Sequence, residues 1–350
     1  MIRIFRPLSF IPCLLVLFAL GCGGSADRAT PLNNNPSAQG KLYVSVTGSS
    51  ILRFDNAFAL NGNVAPSARI EGLATQLNAP SFLFLDEQAD RLFIADRGDN
   101  FVFGFVLVFE HASSKSGNVV PDRVIRGSAT TLDIPIAVAL DRQRDILYVL
   151  DANGAIAVFD SPASINGNVA PRHSFRFTAS VSYLSTNLTV DSVNDRIFVA
   201  RTDTGTGVSA LEEFDHASTL TGFVTPDSTI RGANTHLEGP RDVLLDNLGR
   251  LIVDNNSPSN NSIVFYNNAN ASGDIPPSTA IEGSSTGLIR AQQMAVDTSG
   301  RNLYVLCDTD GKILVFPMST ALGKLDTPPV RTITSPALRV GVGLALDTTR

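Results

Sequence analysis

The stretch Ile156-Ala157-Val158-Phe159-Asp160 runs on through Gly167-Asn168-Val169-Ala170-Pro171 to Leu188-Thr189-Val190-Asp191 and Arg196-Ile197-Phe198-Val199-Ala200. It is one copy of a unit written six times, and it decides the fold. A Gly-x-Val-x-Pro segment or a close relative begins at Gly62, Gly117, Gly167, Gly222, Gly273 and Gly323. An aspartate closes a short apolar run at Asp86, Asp141, Asp191, Asp246, Asp297 and Asp347. Both series advance by 55, 50, 55, 51 and 50 residues. Two independent markers keeping one irregular rhythm identify an internal repeat. A third marker, a phenylalanine ending an apolar run, keeps nearly the same steps at Phe54, Phe109, Phe159, Phe214, Phe265 and Phe316.

Each unit reads as four short strands. In the copy from residue 80, Phe82-Leu83-Phe84-Leu85 is apolar without alternation, the pattern of a strand buried on both faces. A polar turn from Asp86 to Asp90 leads to Arg91–Asp96, then to Val106–Phe109 and Val124–Gly127. Runs this short, rich in Val, Ile and Phe and punctuated by Gly, Pro, Asn and Asp, predict all-β structure. Six units of four strands and roughly 50 residues each predict a six-bladed β-propeller.

The chain ends predict how the ring closes. Residues Leu344-Ala345-Leu346-Asp347 are a first strand with no second strand after it. The missing strands lie at the other end, as Lys41-Leu42-Tyr43-Val44 and Ile51-Leu52-Arg53-Phe54. N-terminal strands therefore complete the last blade, which removes the exposed edges of an open ring.

The pattern Pro-x-x-apolar-Asp, then Gly-Arg-Leu-apolar-Val-Asp, then Ile-Val-Phe resembles the NHL repeat of six-bladed propellers. Its nearest copies are Pro240 to Asp254 with Ile263-Val264-Phe265, and Pro80 to Asp96; the resemblance spans residues 41–350. WD and kelch repeats fit poorly, because the chain has no Trp and its one Gly-Gly pair lies outside the units.

Before the repeats, residues 1–21 read as an export signal: Arg3 and Arg6 precede an apolar run from Leu8 to Leu20 that is too short to span a bilayer comfortably. The run ends Ala19-Leu20-Gly21-Cys22, which resembles a bacterial lipobox and implies a lipid on Cys22; ordinary signal cleavage and secretion is the alternative. Gly23 and Gly24 after the cysteine imply the outer membrane in a Gram-negative cell. Residues 22–40 are polar and turn-rich, and read as a flexible tether to the propeller at 41–350. Cys307 is then the one thiol left in the domain, and it reads as a small buried hydrophobe. A net charge of −6, a pI of about 5.2 and no basic cluster argue against nucleic-acid binding.

Function in propellers usually lies where the innermost strands begin, and in this chain those positions stand a few residues before the six aspartates. Five residues back stand Ser81, Ile136, Thr186, Arg241, Gln292 and Val342; four back stand Phe82, Ala137, Asn187, Asp242, Gln293 and Gly343. Asn187, Asp242 and Gln293 fall on consecutive blades at one level, with Arg241 and Glu238 nearby, and these five are the candidate ligand-binding residues at the channel mouth. Gluconolactonase-like propellers hold a divalent metal here with Glu, Asn and Asp ligands, and this chain lacks that set at any one level. One carboxylate with two amides is thin for a hard cation. The six strand-closing aspartates recur in every blade and so read as turn formers rather than metal ligands. Four histidines without a common face (His111, His173, His216, His236) support neither a metal site nor a nucleophilic triad. Asp308-Thr309-Asp310-Gly311 resembles part of a calcium loop, lacks its later ligands and suits a hairpin turn. Arg97-Gly98-Asp99 reads as a turn, and Phe101–Phe105 as a strand extension or a partner patch.

No catalytic residue, metal or cofactor is expected, calcium being the one ion left open. The expected function is an exported, lipid-anchored binding or scaffold module of the bacterial cell envelope, with a protein, peptide or glycan ligand. A metal-dependent lactonase-like hydrolase or lyase using Asn187, Asp242 and Glu238 is the second reading, and a purely structural surface protein the third.

Overall fold

The computed structural model describes residues 39–99, 103–177, 183–257, 260–297, 299, 301–318 and 320–350. The leader, Cys22, the tether as far as residue 38 and Phe101-Val102 lie outside them.

Six antiparallel sheets follow one another along the chain. Blade 1 comprises Pro80–Asp86, Arg91–Asp96, Phe105–Glu110 and Arg123–Ile125. Blade 2 comprises Pro135–Asp141, Ile146–Asp151, Ala155–Asp160 and His173–Phe177. Blade 3 comprises Tyr183–Asp191, Arg196–Asp203, Ser209–Asp215 and Ser228–Ile230. Blade 4 comprises Pro240–Leu245, Leu251–Ser257, Asn260–Tyr266 and Thr279–Glu282. Blade 5 comprises Ala291–Val296, Asn302–Cys307, Lys312–Pro317 and Arg331–Thr334.

Blade 6 joins the two chain ends, as the sequence predicts. Its innermost strand Gly341–Asp347 pairs with Lys41–Val46 in the register Lys41↔Asp347 to Val44↔Leu344, and Ser50–Asp55 and Ala68–Glu71 complete it. Gly40 already donates to the Arg350 carbonyl and the Gln39 carbonyl accepts from Phe58, so attachment to the ring begins two residues before the first strand.

The apolar residues sort into six buried clusters, one between each pair of neighbouring blades. Side chains of a strand alternate between its two faces. Leu42 and Val44 thus pack on blade 5, while Tyr43 packs on blade 1. Both faces of every blade are dry, which is why the strands read as unbroken apolar runs.

The Gly-x-Val-x-Pro segments have a structural task that the repeat count does not reveal. Each glycine pairs in parallel with the outermost strand of the preceding blade: Ile70↔Gly117, Ile125↔Gly167, Phe175↔Gly222, Ile230↔Gly273, Thr279↔Gly323 and Ile333↔Gly62. In three blades the pairing extends into a fifth strand. These latches cover outer edges that would otherwise present unpaired backbone groups. A side chain locks four of them. Asn118 Oδ1 accepts from Ala74 N at 2.7 Å, Asn168 Oδ1 from Ala129 N at 2.7 Å, Asp274 Oδ1 from Asn234 N at 2.7 Å and Asp326 Oδ1 from Ser285 N at 2.8 Å.

The strand-closing aspartates bind their own turns. Asp141 Oδ1 accepts from Gln143 N and Arg144 N, Asp191 Oδ1 from Val193 N and Asn194 N, and Asp246 Oδ1 from Leu248 N and Arg250 N. Asp86, Asp297 and Asp347 accept from Ala89 N, Arg301 N and Thr349 N.

Candidate functional site

The innermost strands surround a central channel whose cavity, about 200 Å³, is lined by Leu, Val, Ala, Met and Phe residues with Asn187, Thr189 and Gln293 as its polar members. Every innermost strand carries a β-bulge near its start. The ladder skips Ser81 and Phe82 in blade 1, Ile136 in blade 2, Thr186 in blade 3, Arg241 in blade 4, Gln292 in blade 5 and Val342 in blade 6. A bulge places two consecutive residues against one and re-aims a side chain. The residue five back from each aspartate is thereby released from the ladder at the mouth, while the residue four back stays in it in every blade but blade 1, where Phe82 is released as well.

Asn187, Asp242 and Gln293 form a belt that ties blades together. The Asn187 amide donates to Asp242 Oδ1, which also accepts from Val243 N at 2.8 Å; Asp242 Oδ2 accepts from Met294 N at 2.7 Å. Gln293 Oε1 accepts from Leu344 N at 2.7 Å, and its amide donates to the Leu83 carbonyl at 3.2 Å, reaching blades 6 and 1. Gly343 lets the backbone of blade 1 come close to blade 6: a Cβ at that position would stand 2.6 Å from the Ser81 carbonyl oxygen. Both oxygens of the fully buried Asp242 are thus occupied by protein donors. Burial raises its pKa. It raises Asp254 further, because the Asp242 carboxylate lies alongside and Asp254 Oδ2 is buried without a hydrogen-bond partner.

Arg241 belongs to a different place. Its bulge turns it out of the belt into a polar pocket of about 310 Å³ at the mouth, between blades 3, 4 and 5, where Thr186, Thr202, Asn256, Arg290 and Gln292 join it. Arg241 Nε donates to Gln292 Oε1 at 3.2 Å, and its guanidinium lies 5.9 Å from the ring centre of Phe82, which comes from blade 1 across the channel. Gln292 donates in turn to Asp308 Oδ2 at 3.1 Å, and Arg290 pairs with Asp308 at 3.3 Å. Burial, with the Arg290 charge, lowers the Arg241 pKa against the pull of Asp254 and Asp308. The Arg241 charge also reaches Arg97 on blade 1, whose pKa falls mainly through burial.

Glu238 is exposed on the loop before blade 4, and its Oε1 accepts from Ser257 Oγ at 2.6 Å. The five candidates therefore divide: Asn187, Asp242 and Gln293 in the belt, Arg241 in the mouth pocket, Glu238 outside both. Sequence reasoning did not single out Thr186, Thr202, Asn256, Arg290 or Gln292. Thr186 and Gln292 stand in the five-back register with Arg241, and that register was the available signal.

The remaining polar residues serve the scaffold. His111 and His216 occupy left-handed turns (φ 52° in both), after which Ser113 and Ser218 donate to Asp90 and Asp195. Cys307 is fully buried, and burial pushes its thiol up to about 11. Asp308 to Gly311 is the turn joining two strands of blade 5, closed by Gly311 N donating to the Asp308 carbonyl at 3.3 Å. Among the described residues, no group of three or more His, Cys, Asp or Glu side chains is placed to hold a metal ion.

No family model and no curated protein matches the chain. Solved structures do match it. A chain of the nidogen/laminin complex is similar over 89% of this chain and 99% of its own, with a TM-score of 0.58 at 13% identity. A chain of the hydrazine synthase of Kuenenia stuttgartiensis is similar over 79% of this chain and 73% of its own, with a TM-score of 0.54 at 13% identity. The likeness is one of fold. At such identities it carries no ligand or activity across.

Proposed function

We propose that the protein is an exported, lipid-anchored propeller of NHL-like type that works as a binding module in the bacterial cell envelope. It takes its ligand at the mouth between blades 3, 4 and 5. The observation that carries the reading is the contrast between two polar sets at one end of the channel. The belt of Asn187, Asp242 and Gln293 spends its hydrogen bonds on neighbouring blades, whereas the Arg241 pocket opens outward. A rigid ring with one re-aimed polar cluster is the usual construction of a recognition site. The address rests on the Arg3/Arg6 leader and on Cys22 in its lipobox-like setting. The lactonase-like reading draws less support, since Asp242 has no uncommitted oxygen and Glu238 stands apart from it.

The test is to express the full chain in a Gram-negative host, follow labelled palmitate and membrane fractionation, and cross-link partners in intact envelopes. Labelled protein in the outer membrane, with Cys22→Ala losing label and membrane retention, is the expected result. Cross-links should weaken in Arg241→Glu. Unprocessed cytoplasmic protein would overturn the address. Cross-links indifferent to Arg241→Glu would overturn the binding face.

A further inference from the structure

We infer that the mouth pocket binds an oxyanion carried on a small hydroxylated molecule, one sugar-sized unit bearing a carboxylate or phosphate, gripped by Arg241; this rests on the mouth being the binding face. The first argument is the state of Arg241. Four other deeply set arginines of the ring are matched with carboxylates, Arg91 and Arg123 with Glu110, Arg196 with Asp191 and Arg250 with Asp246, and Arg331, which has none among the described residues, spends both Nη groups on the Ala57 and Leu60 carbonyls and the Tyr304 hydroxyl. Arg241 forms no ion pair among the described residues; its partners are the neutral Gln292 amide and the Phe82 ring. Its Nε is engaged by Gln292, which leaves the Nη edge of the planar fork for a ligand. That fork matches the two oxygens of a carboxylate or phosphate.

The second argument is charge. Arg97, Arg241 and Arg290 gather at the mouth; burial first, then the Arg290 charge, lowers the Arg241 pKa, and burial first, then the Arg241 charge, lowers that of Arg97, a cost that an incoming anion removes. The Asp308 carboxylate, which is not part of the pocket lining, is held by Arg290 and Gln292. Asp254 lies behind the strand, its pKa raised by burial and Asp242.

The third argument is the rest of the wall. The one proton of Thr186 Oγ1 is shared between the Ala200 and Pro240 carbonyls, at 3.2 and 3.0 Å, which leaves its lone pairs to accept from a ligand hydroxyl. The Asn256 amide nitrogen donates to the Ala291 carbonyl at 2.7 Å, which leaves its oxygen as an acceptor. The pocket's volume of about 310 Å³ sits at the small end of ligand sites, enough for one sugar-sized unit.

The test is titration calorimetry of the full chain with glucuronate, glucose 6-phosphate and glucose. Either acid, or both, should bind while glucose does not, and which acid binds tells carboxylate from phosphate. Arg241→Gln should weaken the acid by about tenfold or more, the loss of a charge-assisted pair. Arg290→Gln, at an exposed position, should weaken it by several-fold with the ring intact; it keeps the test decisive if Arg241→Gln unfolds. Failure of both acids to bind, binding of glucose as tight as the acids, or an acid affinity unmoved by both variants would overturn the assignment. If both acids fail while envelope cross-links still depend on Arg241, the binding-module reading survives and the oxyanion assignment alone falls.

Discussion

Replacing Gly127 by alanine tests the latch that joins blades 1 and 2. Gly127 has φ +129°, a conformation L side chains rarely adopt, and a Cβ built there would stand 2.4 Å from the Asn168 amide. That amide oxygen is the acceptor that locks the latch through Ala129 N at 2.7 Å. The backbone strain costs about 1–3 kcal/mol. Displacing Asn168 forfeits about 1 kcal/mol more in hydrogen bonding. A loss of about 2–4 kcal/mol is a large share of the roughly 5–15 kcal/mol that holds a typical domain together. The assay is urea unfolding of Gly127→Ala, Asn168→Ala, their double mutant and Gly167→Ala. Gly167 is the control, with φ +81° and no atom within 4 Å of its Cβ, so it carries backbone strain alone, about 1–2 kcal/mol. The two changes at the latch should cost less together than the sum of their separate costs, by about 1 kcal/mol, because the Asn168 hydrogen bond is then lost once rather than twice, while the Asn168 Cβ, 2.7 Å from the built Cβ, still crowds the alanine. Strict additivity, or a Gly127→Ala loss below about 0.5 kcal/mol, would refute the latch geometry.

Two further outcomes follow from the scaffold. Deleting residues 41–56 removes two strands of blade 6 and exposes the edge of Gly341–Asp347, so the melting transition of the whole ring should fall steeply; an unchanged midpoint would rule out closure by the N-terminal strands. Asp254, whose pKa is raised by burial and by Asp242, binds its proton more tightly folded than unfolded; stability should therefore drop as pH rises from about 4, the ordinary carboxyl value, through the raised one, and Asp254→Asn should flatten that slope in unfolding curves at about pH 5 and about pH 9. A variant whose pH dependence matches the parent chain's would show that Asp254 is not the group titrating.

The repeat rhythm made the strands and the ring legible because each blade must bury both faces, and that requirement is written in local runs such as Phe82–Leu85. Closure was legible for the same reason: one strand at the C-terminal end and three at the N-terminal end complete one unit. The latches were visible only as punctuation, since the partner of Gly117 is Ile70, in the previous unit, and a parallel bridge leaves no periodic trace. The belt was located at the right level but not in its role. Whether Asp242 faces a ligand or a neighbouring backbone depends on Met294 N standing across the blade gap, which spacing cannot report. The separation of Arg241 from Asp242 comes from a bulge, a one-residue irregularity that apolar patterning does not encode.

The outermost pairing has a bearing on how the chain comes into being. A ribosome delivers the unit containing Ile125 well before Gly167, so blade 1 waits for blade 2 before its outer rim is covered, and so on around the ring. The first-made segment waits longest. Lys41–Val46 needs Gly341–Asp347, and Gly62 needs Ile333, so the N-terminal strands meet their partners only after nearly everything else exists. Contacts this distant in sequence form late and slowly. A molecule stitched at both its inner and outer radius by its own beginning stays open until its end arrives.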